Sequence, residues 1–291
     1  LTAKAAWTEN LAYMNGNNLA SLNPTTQSLP EINAFAFKDA LPGTPFDLEA
    51  AGRFNYFWRD FGTRGMRTDL HPTLSLPVNY GPVTLIPSAG LRNTAYSVGS
   101  YANEPATTTT NKAPARTMFE LGFTGFTEMS RVYQLDGAGL AAIKENIGKT
   151  EWGALRHSIT PRLEFAYVPA PQSQDRLPYF DSLDRVTRQN KITYSVTNLL
   201  DRKRTSVVAG ADPKGGNATV PVSSTDYLDF LSLRVEQSYD RDEAARHEDL
   251  GLYAKRPFSD IMTELAVRPE KYISLSSKTY YSPYLGRPTE H

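Results

Sequence analysis

The stretch Arg67-Thr68-Asp69-Leu70-His71-Pro72-Thr73-Leu74-Ser75-Leu76-Pro77-Val78 decides the fold class. Its even positions are Thr68, Leu70, Pro72, Leu74, Leu76 and Val78; its odd positions are Arg67, Asp69, His71, Thr73, Ser75 and Pro77. Thr68 and Pro77 aside, apolar and polar residues alternate. Successive side chains of an extended strand point to opposite faces, so this period of two predicts a strand with one apolar and one ionic face. A turn at Asn79-Tyr80-Gly81-Pro82 follows, after which Val83, Leu85, Pro87, Ala89 and Leu91 alternate with Thr84, Ser88, Gly90, Arg92 and Thr94. Run, turn and run predict a hairpin.

The same period returns downstream. From Leu155 to Tyr167 the apolar positions are Leu155, His157, Ile159, Pro161, Leu163, Phe165 and Tyr167, and Arg156, Ser158, Thr160, Arg162, Glu164 and Ala166 lie between them. Shorter repeats are Phe119-Leu121-Phe123 against Glu120, Ile192-Tyr194-Val196 against Lys191, Leu231-Leu233-Val235 against Arg234 and Glu236, and Ile261-Leu265-Val267 against Glu264 and Arg268. Strands of soluble sheets cluster near 5 or 6 residues, whereas about 9 to 11 tilted residues cross an outer membrane. The longer runs here match the second length, so the expected fold is all-β: an antiparallel transmembrane barrel of the outer-membrane type. At roughly 20 to 29 residues per strand with its connection, the chain supplies about 10 to 14 strands of a larger barrel. Residues 1–291 read as a single barrel segment.

Tyrosine-rich positions near strand ends, including Tyr56-Phe57-Trp58, Tyr80, Tyr96 and Tyr280-Tyr281, suit interfacial girdles. Segments Asn103 to Arg116, Ala170 to Asp184, Asp201 to Thr225 and Asp240 to Arg256 read as long loops, and Gly137 to Ile147 has room for a turn or two of helix. Pro72, Pro87 and Pro161 remove ladder donors and predict bulges or weak pairing.

Composition narrows the function. Lys plus Arg and Asp plus Glu both total 31, so no net field favours nucleic acid as a partner. Cysteine is absent, which removes disulfides and thiolate metal sites from this stretch. No apolar run approaches the roughly 18 to 20 residues of a membrane-spanning helix. The opening Leu1-Thr2-Ala3-Lys4 has no signal-peptide pattern, so the chain reads as mature, processed or a fragment.

Catalytic motifs are lacking. The histidines His71, His157, His247 and His291 form no HxxxH or HExxH pattern, and no GxSxG, Walker or GxGxxG run occurs. No metal, cofactor or catalytic residue is expected. Asp181 and Asp184 invite comparison with a calcium or acid/base pair, but their Pro-rich setting favours a structured loop. The ionic parity is the more informative feature: Arg67, Asp69, Arg92, Glu120, Arg156, Arg162, Glu164, Lys191, Arg234, Glu236, Glu264 and Arg268 would face a lumen. A solvated inner wall and a surface that contacts a plug protein are both open readings of that mixed charge.

Several runs resemble the LptD family of lipopolysaccharide-assembly proteins, also called OstA/Imp. Leu29-Pro30-Glu31-Ile32-Asn33, Phe61-Gly62-Thr63-Arg64-Gly65-Met66-Arg67 and Leu70-His71-Pro72-Thr73-Leu74-Ser75-Leu76-Pro77 are similar to that family's "LPEL…TRG.R.DL.P.LSLP" order. Gly90-Leu91-Arg92-Asn93-Thr94-Ala95-Tyr96, Leu155 to Pro169 and Asn190 to Leu200 resemble its next strands, and Leu177-Pro178-Tyr179-Phe180-Asp181-Ser182 resembles its "P.FD" loop. The resemblance covers most of residues 29 to 284 and places the chain in the central part of the barrel. It implies a barrel of about two dozen strands closed around the lipoprotein LptE, with a periplasmic jellyroll upstream. It also implies a Gram-negative outer membrane, transfer of lipopolysaccharide from a periplasmic bridge protein to the outer leaflet, and contact with outer-membrane lipid. The jellyroll, the first and last strands and the gate between them would lie outside this chain. Pro178, Phe180 and Asp181 are the family-motif loop residues. The competing readings are an outer-membrane porin or barrel enzyme and a soluble β-rich binding module.

Overall fold

A computed structural model describes residues 1–13, 23–101, 111–135, 142–172, 174–211, 219–247 and 254–289. The strands are β1 (Thr2–Ala6), β2 (Gln27–Ala40), β3 (Asp47–Trp58), β4 (Arg64–Ser75), β5 (Val78–Tyr80), β6 (Val83–Ser100) and β7 (Ala115–Thr127). They continue as β8 (Met129–Gln134), β9 (Thr150–Val168), β10 (Gln189–Ala211), β11 (Thr219–Asp240), β12 (Ile261–Glu270), β13 (Ile273–Ser282) and β14 (Arg287–Thr289). A single short α-helix, α1 (Arg241–Ala245), lies among the described residues. All fourteen strands join one sheet in the order β1-β2-β3-β4-β6-β7-β9-β10-β11-β12-β13-β14, with β5 on β6 and β8 on β9. The all-β antiparallel expectation holds. No described helix is long and apolar enough to cross a membrane, which says nothing of a strand wall.

By chain order, connections 41–46, 76–82, 135–149, 212–218 and 271–272 alternate with 59–63, 101–114, 169–188 and 241–260. The three longest of the second set exceed most of the first, as expected of a barrel with turns on one side and loops on the other.

The chain divides into two compact units. The first comprises Leu1–Asn79, Leu85–Thr124 and Phe165–Lys191. Within it β3 and β4 pair in unbroken register from Asp47 opposite Ser75 to Phe57 opposite Gly65. Two polar rows cross the strands: Arg53, Asp69 and Thr94 are lateral neighbours, and so are Asn55, Arg67 and Tyr96. The burial of β4 is the reverse of a soluble sheet. Met66, Leu70 and Leu74 are exposed, whereas Arg67 and Asp69 are only 1% and 4% exposed. The apolar side is exposed and the ionic side is covered.

The second unit comprises Tyr80–Thr84, Gly125–Glu164 and Ile192–His291. Register there stacks like on like. Leu231, Val267 and Leu275 form one apolar row, and Arg234, Glu264 and Lys278 form an ionic row of alternating sign on the other face. Adjacent opposite charges in a ladder favour this register over a one-residue slip, which would put every charge on the apolar side.

One expectation changes. The predicted loop Asp201 to Thr225 is largely strand, because β10 runs to Ala211 and β11 begins at Thr219; residues 212–218 lie outside the described ones. Composition misleads there because Arg, Ser and Thr sit as comfortably on the ionic face of a strand as in a loop. Pro72 meets the weak-pairing alternative and not the bulge: it sits opposite Ala50 in continuous register with β3, while the β4–β6 pairing, in one register on either side, lapses at His71 and Pro72. The shift between these two strands falls instead at Arg64 and Gly65. A Cβ on Gly65 would collide with the Ser97 carbonyl oxygen and lie 3.0 Å from the Val98 Cα, so only glycine permits this approach. Of the turn or two of helix expected within Gly137 to Ile147, the described residues hold a single 3-10 turn at Lys144–Asn146, with 136–141 outside them.

Candidate functional site

In the first unit, connection 169–188 lies on the ionic face of the wall strands. Hydrophobic contact seats it: Leu177 and Phe180 from the connection are buried with Phe57, Tyr96 and Val98 from β3 and β6. The Phe180 ring stacks on Phe57 with centroids 4.4 Å apart and planes at 11°. Burying such a side chain is worth about 1.5–3 kcal/mol, with a further ~0.5–1.5 from ring geometry.

The connection is then tied to the wall by charge. Asp181 caps a 3-10 turn, Ser182–Asp184, in a reciprocal box with Asp184. The cap carboxylate also receives Arg67 in a two-pronged bond, Nη1 to Oδ1 at 2.5 Å and Nη2 to Oδ2 at 2.7 Å. Arg67 Nη1 reaches Asp184 as well, at 2.9 Å, and its guanidinium lies 4.9 Å from the Phe57 ring centroid. Asp184 is fully buried. Its Oδ1 accepts from Arg67 and from the Tyr96 hydroxyl at 2.6 Å, and its Oδ2 accepts from the backbone N–H groups of Phe180 at 2.7 Å and Asp181 at 3.0 Å. Four donors fill the acceptor capacity of the carboxylate, which is the condition for burying it.

A second arginine holds the other side of the turn. Arg116 of β7 donates to the Asp184 and Leu183 carbonyls at 3.1 and 3.0 Å, to Gln174 at 2.8 Å and to Thr94 at 3.3 Å. Thr94 in turn donates to Asp69 at 2.7 Å, and Arg92 forks onto the two Asp69 oxygens at 3.0 and 3.1 Å. Pro178 is buried, and its carbonyl accepts from Arg185 at 3.5 Å.

The predicted site residues thus divide. Arg67, Asp69, Arg92, Pro178, Phe180 and Asp181 converge in one bonded cluster. The others pair locally in the second unit: Arg156 with Asp201 at 2.5 Å, Arg162 with Glu164 at 2.6 Å, and Arg234 with Glu236. Sequence reasoning missed Tyr96, which is not a girdle residue but a buried donor to Asp184, and Arg116, which stands in β7 and not in the expected loop. Parity held the signal for both, since Tyr96 follows Arg92 and Thr94 on the ionic face and Arg116 precedes Glu120 on it.

This arrangement anchors the connection to the wall. Asp181 and Asp184 are taken up by arginine and backbone donors.

The family model described as LptD, LPS transport system D, matches residues 7–291. Three curated proteins named LPS-assembly protein LptD are similar. The one from Nitrosospira multiformis is 25% identical over 62% of this chain and 19% of its own length. That from Nitrosococcus oceani is 29% identical over 60% of this chain and 23% of its length. That from Nitrosomonas europaea is 28% identical over 71% of this chain and 27% of its length. The chain therefore spans between 19% and 27% of these relatives. The family model covers nearly the whole chain: this chain belongs to the LptD family.

Proposed function

We propose that residues 1–291 form one segment of an outer-membrane barrel wall in a Gram-negative cell, and that the full-length protein delivers lipopolysaccharide to the outer leaflet. The observation that carries this is the reversed burial of β4, with Leu70 and Leu74 exposed on one side and Arg67 and Asp69 covered on the other. In this reading hydrocarbon satisfies the first side, and the seated connection 169–188 with its ion pairs satisfies the second. A soluble binding module would bury the opposite face. A porin or barrel enzyme would share the wall, and the family membership favours the assembly role over both.

In this reading no covalent chemistry occurs on the chain. Connection 169–188 stays clamped to the inner face by Arg67 and Arg116. Arg156, Arg162, Glu164, Arg234 and Glu236 present mixed charge to the lumen, where the LptE lipoprotein plug and the saccharide part of lipopolysaccharide pass or bind. The jellyroll that meets the periplasmic bridge protein belongs to the rest of the molecule.

The test is purification of the full-length protein in mild detergent, followed by analysis of what accompanies it. A lipoprotein and lipopolysaccharide in the purified complex are expected. Absence of both overturns the assembly role.

A further inference from the structure

The exposed apolar row of β4 ends in a cation. Met66, Leu70 and Leu74 are exposed, and Arg64 shares their parity at the loop-side end of the strand. Register carries the row there: Phe57 lies opposite Gly65 and Tyr56 opposite Met66, so Trp58 is the neighbour of Arg64 on the exposed side. The Arg64 guanidinium lies 5.1 Å from the Trp58 ring centroid. Trp7 stacks on the same Trp58, with centroids 5.5 Å apart and planes at 26°, and is itself 60% exposed.

Strand length sets the level of this group. Arg64 to Leu74 is about ten steps or ~33 Å of strand, which at a tilt of 35–45° rises roughly 23 to 27 Å, the height of the apolar band of an outer-membrane barrel. Leu74 then stands near one border of the band, and Arg64 with its two indoles at the other, where lipid headgroups lie. Arg64 Nε donates to the Arg59 carbonyl at 2.5 Å and Nη2 to the Asp60 carbonyl at 3.1 Å. These two bonds hold the guanidinium against connection 59–63 and leave three of its five N–H groups without an acceptor among the described residues. Both acceptors are neutral, whereas Arg67 and Arg92 on the opposite face are matched by carboxylates. An oriented guanidinium with spare donors is complementary to phosphate, which it binds through parallel N–H bonds.

We propose that Arg64, with Trp58 and Trp7, binds the phosphate of a membrane-lipid headgroup on the loop side of the wall. A lipid phosphate reaches this level with its acyl chains along Met66 and Leu70, whereas a free phosphate has nothing to set against that row. The level rests on the barrel-wall reading above; the phosphate is selected by the arginine and its unused donors.

The test is native mass spectrometry of the full-length protein in detergent, supplied with phosphatidic acid or with diacylglycerol of the same acyl chains, which lacks only the phosphate. Phosphatidic acid adducts several-fold above diacylglycerol adducts are expected. Arg64→Gln should bring them down to the diacylglycerol level, and Arg162→Gln, on the ionic face, should not. If Arg64→Gln does not migrate as a folded barrel, Trp7→Glu takes its place: it leaves both Arg64 bonds intact and sets a carboxylate against Trp58, with the same loss expected. Equal uptake of the two lipids, or phosphatidic acid uptake unmoved by the variant, overturns the site and leaves the wall reading standing. Inorganic phosphate retained as well as phosphatidic acid also overturns it, in favour of a free-anion site. Retention of neither lipid sinks the wall reading together with the site.

Discussion

Arg67→Met should release connection 169–188 from the wall. The methionine keeps the apolar stem against Phe57 and removes the fork that holds Asp181 at 2.5 and 2.7 Å and Asp184 at 2.9 Å. Asp184, with no exposed surface, is then a buried carboxylate without a cation. Breaking one side of a buried pair costs about 3–5 kcal/mol. The Tyr96 hydroxyl and two backbone N–H groups still solvate Asp184, which places the loss near the lower end, about 3 kcal/mol or roughly a hundred-fold in the equilibrium for local opening. The assay is hydrogen exchange of the full-length protein in detergent, read on peptides spanning 174–186, where the amides of Phe180, Asp181 and Leu183 donate to the two carboxylates. Arg67→Lys should recover part of the protection, because it restores the charge and not the fork. Arg162→Met is the control: its pair with Glu164 is half exposed and lies on one strand, so it is worth at most about 1 kcal/mol and does not touch the connection. Exchange at 180–183 unchanged by Arg67→Met would refute the anchoring argument.

Other outcomes follow from the same contacts. Phe180→Ala removes the ring stacked on Phe57 and should cost about 3 kcal/mol or more of docking, seen as protease cleavage within 169–188 while the barrel stays intact. Tyr96→Phe deletes one hydrogen bond to a buried carboxylate and should cost about 1.5–3 kcal/mol, raising exchange at Phe180 less than Arg67→Met does. Gly65→Val forces β4 and β6 apart at the Ser97 carbonyl and should destabilise the wall by at least about 1–3 kcal/mol, lowering the temperature at which the barrel loses its compact migration on a gel. Glu243, bonded first by the Arg246 side chain and then by the Arg256 backbone N–H, is held down from 4.5 to about 2. A lowered carboxyl value stabilises above the unfolded value and loses that contribution as pH falls through the folded one. Protection of the Arg256 amide should therefore hold above pH 4.5 and decline toward pH 2, and Glu243→Gln should abolish the pH dependence.

Much of the wall was legible because side-chain direction in a strand depends only on position along the chain. Leu70 and Leu74 against Arg67 and Asp69, or Leu233 and Val235 against Arg234 and Glu236, announce two faces before any partner strand is known. The same simplicity limits the reading. Proline in an alternating run signals a missing donor but not whether its partner strand tolerates it, and Pro72 sits in unbroken register. Polar composition cannot separate a loop from an ionic strand face, which is why β10 and β11 extend through residues expected to be loop.

The sequence by itself determined the period of two, the fold class and the set of charges on the covered face, since each is a local property of the chain. Tertiary structure alone decided which of those charges meet. Arg67 and Asp184 are separated by 117 residues, and their bond exists because the strand register brings Arg67 beside Tyr96 while the connection after β9 folds back over both. Arg67 and Arg162 look alike on a strand; one is locked under a loop and the other stays half exposed, because burial depends on what the rest of the chain lays over each face.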